Sequence, residues 1–206
     1  MTGERSAPAS QERTPRERIV YAAAQHLRAV GPTAASLRAI VRQAEAPWGS
    51  LRHYFPAGKE QILSEALAWS GDYAATDVME YLQSADPTPG GLFVHLLDTW
   101  ARDLKRCDFG RGCPVAAATL DPGDAATGLT GATRDAMDRW LTAIERALSA
   151  MGVTGASSQA RTMLSMLEGA IIISRVQKST TALSELRQFA AHFDAAARLE
   201  KRSARQ

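Results

Sequence analysis

Apolar residues recur every three or four positions along most of this chain, the period of an amphipathic helix. The first such run carries Ile19, Ala23, Leu27 and Val30 on one face. It opens on Thr14-Pro15-Arg16-Glu17, in which Thr14 is an N-cap, Pro15 takes the first helical position and Glu17 completes a capping box. Gly31-Pro32 marks its end. A second helix is predicted over 33–45, with Leu37, Ile40, Val41 and Ala44 on one side and Arg38, Arg42 and Gln43 off it. After a short break at Ala46 comes a segment, 47–55, whose Leu51 and Phe55 lie four apart and dock on the first two helices. Trp48, Ser50, Arg52, His53 and Tyr54 are left to project around its other sides.

From Lys59 onward helical patterns follow one another without strand-like alternation. Helices are predicted over 59–82, 92–107, 113–120, 130–151, 157–178 and 184–199, with Asp86-Pro87-Thr88-Pro89-Gly90-Gly91 as a loop. The pattern therefore predicts an all-α protein of about nine helices. Residues 1–12 and 201–206 read as mobile tails.

Composition narrows this little: of 206 residues, 45% are apolar and 22% charged, which excludes a disordered, collagen-like or disulfide-scaffold chain. The longest aliphatic run, Ile171-Ile172-Ile173, lies between Glu168 and Arg175, far short of the roughly 20 residues of a membrane span. Two cysteines, Cys107 and Cys113, and a polar N-terminus lead to the expectation of a cytoplasmic protein without a membrane partner. Each thiol reads as a small buried hydrophobe, with a redox or ligand-contacting role as the alternative.

The charge distribution says more than the total of +2. Between Arg13 and Lys59 eight basic residues face two acidic ones, a local excess of +6, which leaves −4 on the rest. Such asymmetry is expected of a module that meets a polyanion joined to one that does not. Two helices, a short turn and a third segment rich in hydrogen-bonding side chains form the helix-turn-helix arrangement. Ser50 and Tyr54 suit phosphates or base edges, Arg52 suits guanine or a phosphate, and Trp48 offers an indole N–H and apolar contact to a thymine methyl. Lys59 adds an ammonium to the N-terminus of the next helix, a phosphate-binding arrangement. Packing roles for Trp48 and Tyr54, and a merely solvated face for Arg38 and Arg42, stand as alternatives.

The stretch Ser36-Leu37-Arg38-x-Ile40, followed by Trp48-Gly49-Ser50-Leu51-x-His53-Tyr54-Phe55-Pro56-x-Gly58-Lys59-Glu60, resembles the N-terminal signature of the TetR family of bacterial regulators. The resemblance implies a DNA-binding domain over 13–58 whose third helix enters the major groove, with Ser36, Arg38, Trp48, Gly49, Ser50, Arg52, His53, Tyr54 and Lys59 at the DNA. Three positions depart from the family pattern. Glu45 stands where glycine is usual in the turn, so a positive φ there would cost about 1 kcal/mol. Arg52 replaces the usual tyrosine, and Trp48 replaces a common basic residue.

Two further stretches, Gly112-Cys113-Pro114-Val115-Ala116-Ala117 and the run from Leu167-Glu168-Gly169 to Arg175-Val176-Gln177, resemble the LmrA/YxaF-type branch of that family. The branch implies a small apolar, aromatic or drug-like effector and a four-helix dimer interface built from the last two helices, both within 59–200. Trp69, Tyr73, Leu97, Trp100, Phe109, Cys113, Ala117, Met137, Trp140, Met163 and Leu167 supply an apolar surface of the kind that lines such pockets, with plain core as the alternative for each. For the interface the candidates are Met166, Gly169, Ala170, Ile173, Phe189 and Phe193. The helix around 163–176 is apolar nearly all round, so it should be buried on every side.

An enzyme would need a catalytic set, and no G-x-x-x-x-G-K-[ST], G-x-S-x-G or H-E-x-x-H occurs. His26, His53, His95 and His192 with two cysteines do not have zinc-site spacing, and no metal or cofactor is expected. The expected partners are double-stranded DNA with a palindromic operator, a small effector and a second copy of the chain. A helical small-molecule-binding protein or enzyme without a DNA role, with His95 or His192 as base, is the competing reading; it leaves the basic helix-turn-helix unexplained.

Overall fold

A computed structural model of the protein describes residues 13–121 and 123–195. The expected tails over 1–12 and 201–206, and the end of the helix predicted over 184–199, lie outside the described residues. All regular structure among the described residues is helical.

Helix α1 spans Pro15–Ala34. Its capping box forms as read: the Glu17 N–H donates to Thr14 Oγ1 (3.3 Å) and the Thr14 N–H to Glu17 Oε2 (2.7 Å). Gly31-Pro32 interrupts the helix where expected: Gly31 leaves helical backbone at φ +74°, ψ 172°, and one further turn follows to Ala34. A side chain at Gly31 would also place its Cβ 2.9 Å from Asp121 Oδ2. That extra turn delays α2, which spans Leu37–Gln43 instead of opening at residue 33.

The turn after α2 carries the backbone strain that the resemblance implied: Glu45 has φ +49°. Arg18 from α1 holds this turn, its guanidinium donating to the carbonyls of Ala44 (2.8 Å) and Glu45 (3.2 Å). Because the Glu45 side chain is exposed, Glu45→Gly should remove strain without removing a core contact. The variant is expected to gain up to about 1 kcal/mol, read as a higher midpoint in urea; a lower midpoint would show that the turn is not strained.

A 3₁₀ turn, Trp48–Ser50, leads into α3, Leu51–Tyr54. Helix α4 occupies Lys59–Leu82, matching its predicted span. Helix α5, Pro89–Arg106, begins inside the expected loop, because Thr88 caps it by accepting from the Gly91 N–H (3.0 Å) and Pro89 takes the first position. Then come α6 (Pro114–Leu120), the unanticipated short α7 (Asp124–Thr127), α8 (Thr130–Ala150) and α9 (Ala156–Gln177). The helix predicted over 184–199 is instead α10, Thr181–Leu186, a 3₁₀ turn over Arg187–Phe189 and further helix to residue 195.

Helix α1 is central to the packing, lying against α2, α4, α6 and α7. Helices α4 and α8 run closely together, and Gly71 permits it: a Cβ there would sit 2.9 Å from the Ala136 backbone. No helix among the described residues is long and apolar enough to cross a membrane.

Candidate nucleic-acid interface and an interior polar site

Leu51 and Phe55 are buried, as their spacing predicts, and they seat α3 on the core. Arg38, Arg42, Arg52 and His53 are exposed around that seat, and Trp48 is 55% exposed. Ser36 stands at the N-cap of α2 without making a cap bond. Gly49 has open space where a Cβ would be, so packing does not demand it. Two candidates are already engaged within the chain: Ser50 Oγ donates to the Pro47 carbonyl (2.7 Å), and half-buried Tyr54 lies edge-on to Phe55 (6.5 Å). Lys59 belongs to a junction as much as to the basic face, since its ammonium donates to the Thr33 carbonyl (3.2 Å) at the end of α1.

That junction ties α1 to both ends of α6. At one end Arg28 Nε donates to the Gly112 carbonyl (2.7 Å) while the Gly112 N–H donates back to the Arg28 carbonyl (3.0 Å). Arg28 also pairs with Asp103 and lies over the Trp100 ring (5.5 Å). Burial alone would raise the Asp103 carboxyl, yet Arg28 and Arg106 hold it below the usual carboxylate range. At the other end the Asp121 carboxylate accepts from the Thr33 N–H and hydroxyl, both at 2.7 Å. These bonds lower the Asp121 pKa.

Between α5 and α6 the loop is strained: Asp108 and Phe109 both take left-handed φ, +47° and +58°. Consecutive non-glycine residues in that region persist only where surrounding structure holds them. Arg175 of α9 does so, donating to the carbonyls of Phe109 (3.4 Å) and Gly110 (3.3 Å). The loop ends on Cys113, which caps α6 through its thiol; burial and the nearby Glu168 raise that thiol's pKa well above its usual value.

Glu168 was not among the residues picked out from sequence. Both of its carboxylate oxygens are buried, and no N–H or O–H reaches them. Burial lifts its pKa to about 7, and the Cys113 thiol pulls the other way. Trp140 Nε1 and Ser174 Oγ are likewise buried and unpartnered. The signal for Glu168 was a lone acid inside the apolar run of α9.

The residues proposed to line an effector pocket divide. Leu97, Cys113, Trp140, Met163 and Leu167 are buried, Trp100, Phe109 and Met137 are half-buried against the core, and Ala117 is half-buried. Trp100 and Trp140 lie 6.3 Å apart. Tyr73 must be reassigned: it is 45% exposed and stacks on half-buried Trp69 (5.4 Å), which meets Tyr21 edge-on (5.4 Å). The three rings form a ladder on the outside of α1 and α4.

The interface candidates divide as well. Met166, Gly169, Ala170, Ile173 and Phe189 line one groove between α9, α10 and the turn after it. Beside it Ile172 is exposed and Val176 is 82% exposed, so α9 is not covered on every side by its own chain. Phe193 is the correction, being 1% exposed and packed edge-on to Phe93 (5.0 Å) in the core. His95 lies 3.0 Å from Asp77 and beside Tyr81 (5.2 Å).

Residues 89–189 match the C-terminal domain of LmrA/YxaF-like transcriptional regulators. The chain is 32% identical over 178 residues to an uncharacterised HTH-type transcriptional regulator of Mycobacterium tuberculosis H37Rv, covering 82% of this chain and 88% of that one. It is 27% identical to the HTH-type transcriptional regulator LmrA of Bacillus subtilis, over 82% of this chain and 90% of the relative. Among solved structures, the regulatory protein TetR from Rhodobacter sphaeroides shares the fold with a TM-score of 0.75 at 20% identity, covering 87% of this chain and 98% of the other. A TetR regulator from Legionella pneumophila does so with a TM-score of 0.72 at 16% identity, over 93% and 98%. The relatives are regulators and not enzymes. With a basic helix-turn-helix at one end and this C-terminal domain at the other, the chain belongs to the TetR family of transcriptional regulators, in its LmrA/YxaF-like branch.

Proposed function

We propose that this regulator is a homodimeric repressor that leaves a palindromic operator when a small aromatic effector binds within residues 59–200. The observation that carries the reading is the double attachment of α1 to α6, through Arg28–Gly112 at one end and Thr33–Asp121 at the other. Helix α1 also packs on α2 of the basic module. A displacement of α6 therefore reaches the DNA-binding helices through hydrogen bonds to the same helix on which they are built. The dimer would hold its two α3 segments about 34–36 Å apart, one turn of DNA, and the effector would favour a different separation. Such an effector releases DNA only by its differential affinity for the two states.

The Thr33–Asp121 attachment is tested by Asp121→Ala. The variant should still bind operator and dimerise, but effector should shift its operator affinity at least about fivefold less than it shifts wild type, the low end of ordinary allosteric coupling. An unchanged effector response would remove this attachment from the mechanism.

The dimer is supported by the uncovered apolar strip of Ile172, Ile173 and Val176 beside the α9–α10 groove. Ile173→Glu sets like charges against each other across a two-fold contact and buries them away from water. It should shift the protein to monomer in sedimentation while helical content stays unchanged. A variant that remains dimeric at micromolar concentration would place the interface elsewhere.

A further inference from the structure

The interior of the C-terminal domain holds a carboxylate that the protein itself does not satisfy. Both Glu168 oxygens are buried, no N–H or O–H reaches them, and the one side chain that acts on them is the weakly donating Cys113 thiol. Cations on the neighbouring segments are bonded elsewhere, Arg111 to the Gln25 side chain among them (3.1 Å). Arg175, two turns along α9, donates to the Phe109 and Gly110 carbonyls, and Arg28 is engaged with Gly112 and Asp103. Buried acids are ordinarily paired, so an unpaired one calls for a group that arrives from outside.

The surroundings indicate which group. Glu168 on α9, Cys113 at the start of α6 and Trp140 on α8 belong to elements in mutual contact. Trp140 is buried, with Trp100 6.3 Å from it. Indole faces attract cations and stack on planar rings. The strained Asp108-Phe109 segment, held by Arg175, belongs to the α5–α6 loop that ends on Cys113.

We infer that the effector is a protonated aromatic amine, with its ammonium on the Glu168 carboxylate and its ring against Trp140 and Trp100. The inference rests on the effector-binding reading above and deepens it. It assigns Glu168 a binding role and explains why a lone acid interrupts the apolar run of α9. The carboxyl is half ionised near pH 7, and no charged group of α5, α8 or α10 contributes to that shift; burial sets it, and the opposing group is the Cys113 thiol, itself held neutral by burial. The cation is therefore bound by the ionised form, and its affinity rises with pH as Glu168 loses its proton.

The test uses the full-length protein and three probes of one shape: naphthylmethylamine, naphthylmethanol and ethylnaphthalene, with binding followed by tryptophan fluorescence and calorimetry. At pH 8 the amine should bind at least about tenfold more tightly than the alcohol or the hydrocarbon. Glu168→Gln should abolish that advantage and leave hydrocarbon binding unchanged. In wild type, which needs no folded variant, amine affinity should rise about tenfold between pH 6 and pH 8. If alcohol or hydrocarbon binds as well as the amine and Glu168→Gln leaves the ranking intact, the inference falls while an aromatic effector survives. If none of the three binds, the inference and the aromatic-effector reading fall together.

Discussion

Replacing Arg38 and Arg52 together by alanine is expected to lower operator affinity about 100-fold at moderate salt and to flatten its salt dependence by about two counterions. The magnitude follows from the kind of contact. A guanidinium on a base edge or phosphate contributes about 1–3 kcal/mol, and each neutralised phosphate releases about one condensed counterion. Both side chains are exposed, one on α2 and one on α3, so their removal leaves the packing of Ile40, Leu51 and Phe55 untouched. The double variant should therefore keep wild-type helicity and thermal midpoint. Operator binding that stays within about twofold of wild type would mean that another face of the protein reads DNA.

The second large effect is on stability. An unfolded glutamate titrates near its ordinary value of 4.5, whereas folded Glu168 holds its proton up to about 7. The folded state thus binds more protons in this window, and stability falls as pH rises through it. The favourable contribution is fully present below about 4.5 and is lost once pH passes about 7. The whole window corresponds to about 3 kcal/mol. Glu168→Gln removes the titration, so unfolding free energies of wild type and variant should converge toward the acid end and separate as pH rises, with the variant more stable at pH 8. Parallel curves for the two proteins between pH 5 and pH 8 would show that the carboxyl is not held as described.

Much of the fold was legible because its signals are local. The Thr14–Glu17 capping box, the start of α4 after Gly58 and the long apolar periods of α8 and α9 depend on residues within a few turns of each other. Where tertiary contacts decide, the sequence pattern misled. Gly31 breaks the helix as its sequence reads, but the further turn beyond it, carrying the Thr33–Asp121 bonds, moves the start of α2 to Leu37. Pro89-Gly90-Gly91 reads as loop, but Thr88 caps a helix there.

The candidate sites divide along the same line. The exposed basic residues of α2 and α3 follow from periodicity, since the apolar face fixes which side remains. Tyr73 and Phe193 exchanged their expected environments because helical spacing says that a residue is apolar, not which neighbour covers it. Glu168 was overlooked for a related reason. In a sequence an acid within a helix is ordinarily solvated, and only the packing around α9 takes its oxygens away from water.

Whether this chain is a dimeric DNA-reading regulator controlled through its C-terminal domain is decided by fluorescence anisotropy on full-length protein. The titration compares the genomic fragment it enriches from its own source with random duplex of equal length, across a series of salt concentrations. One dimer per selected site is expected, with at least about 1,000-fold preference over random duplex and a steep loss of affinity with salt. Equal binding to both duplexes, or binding indifferent to salt, would contradict it.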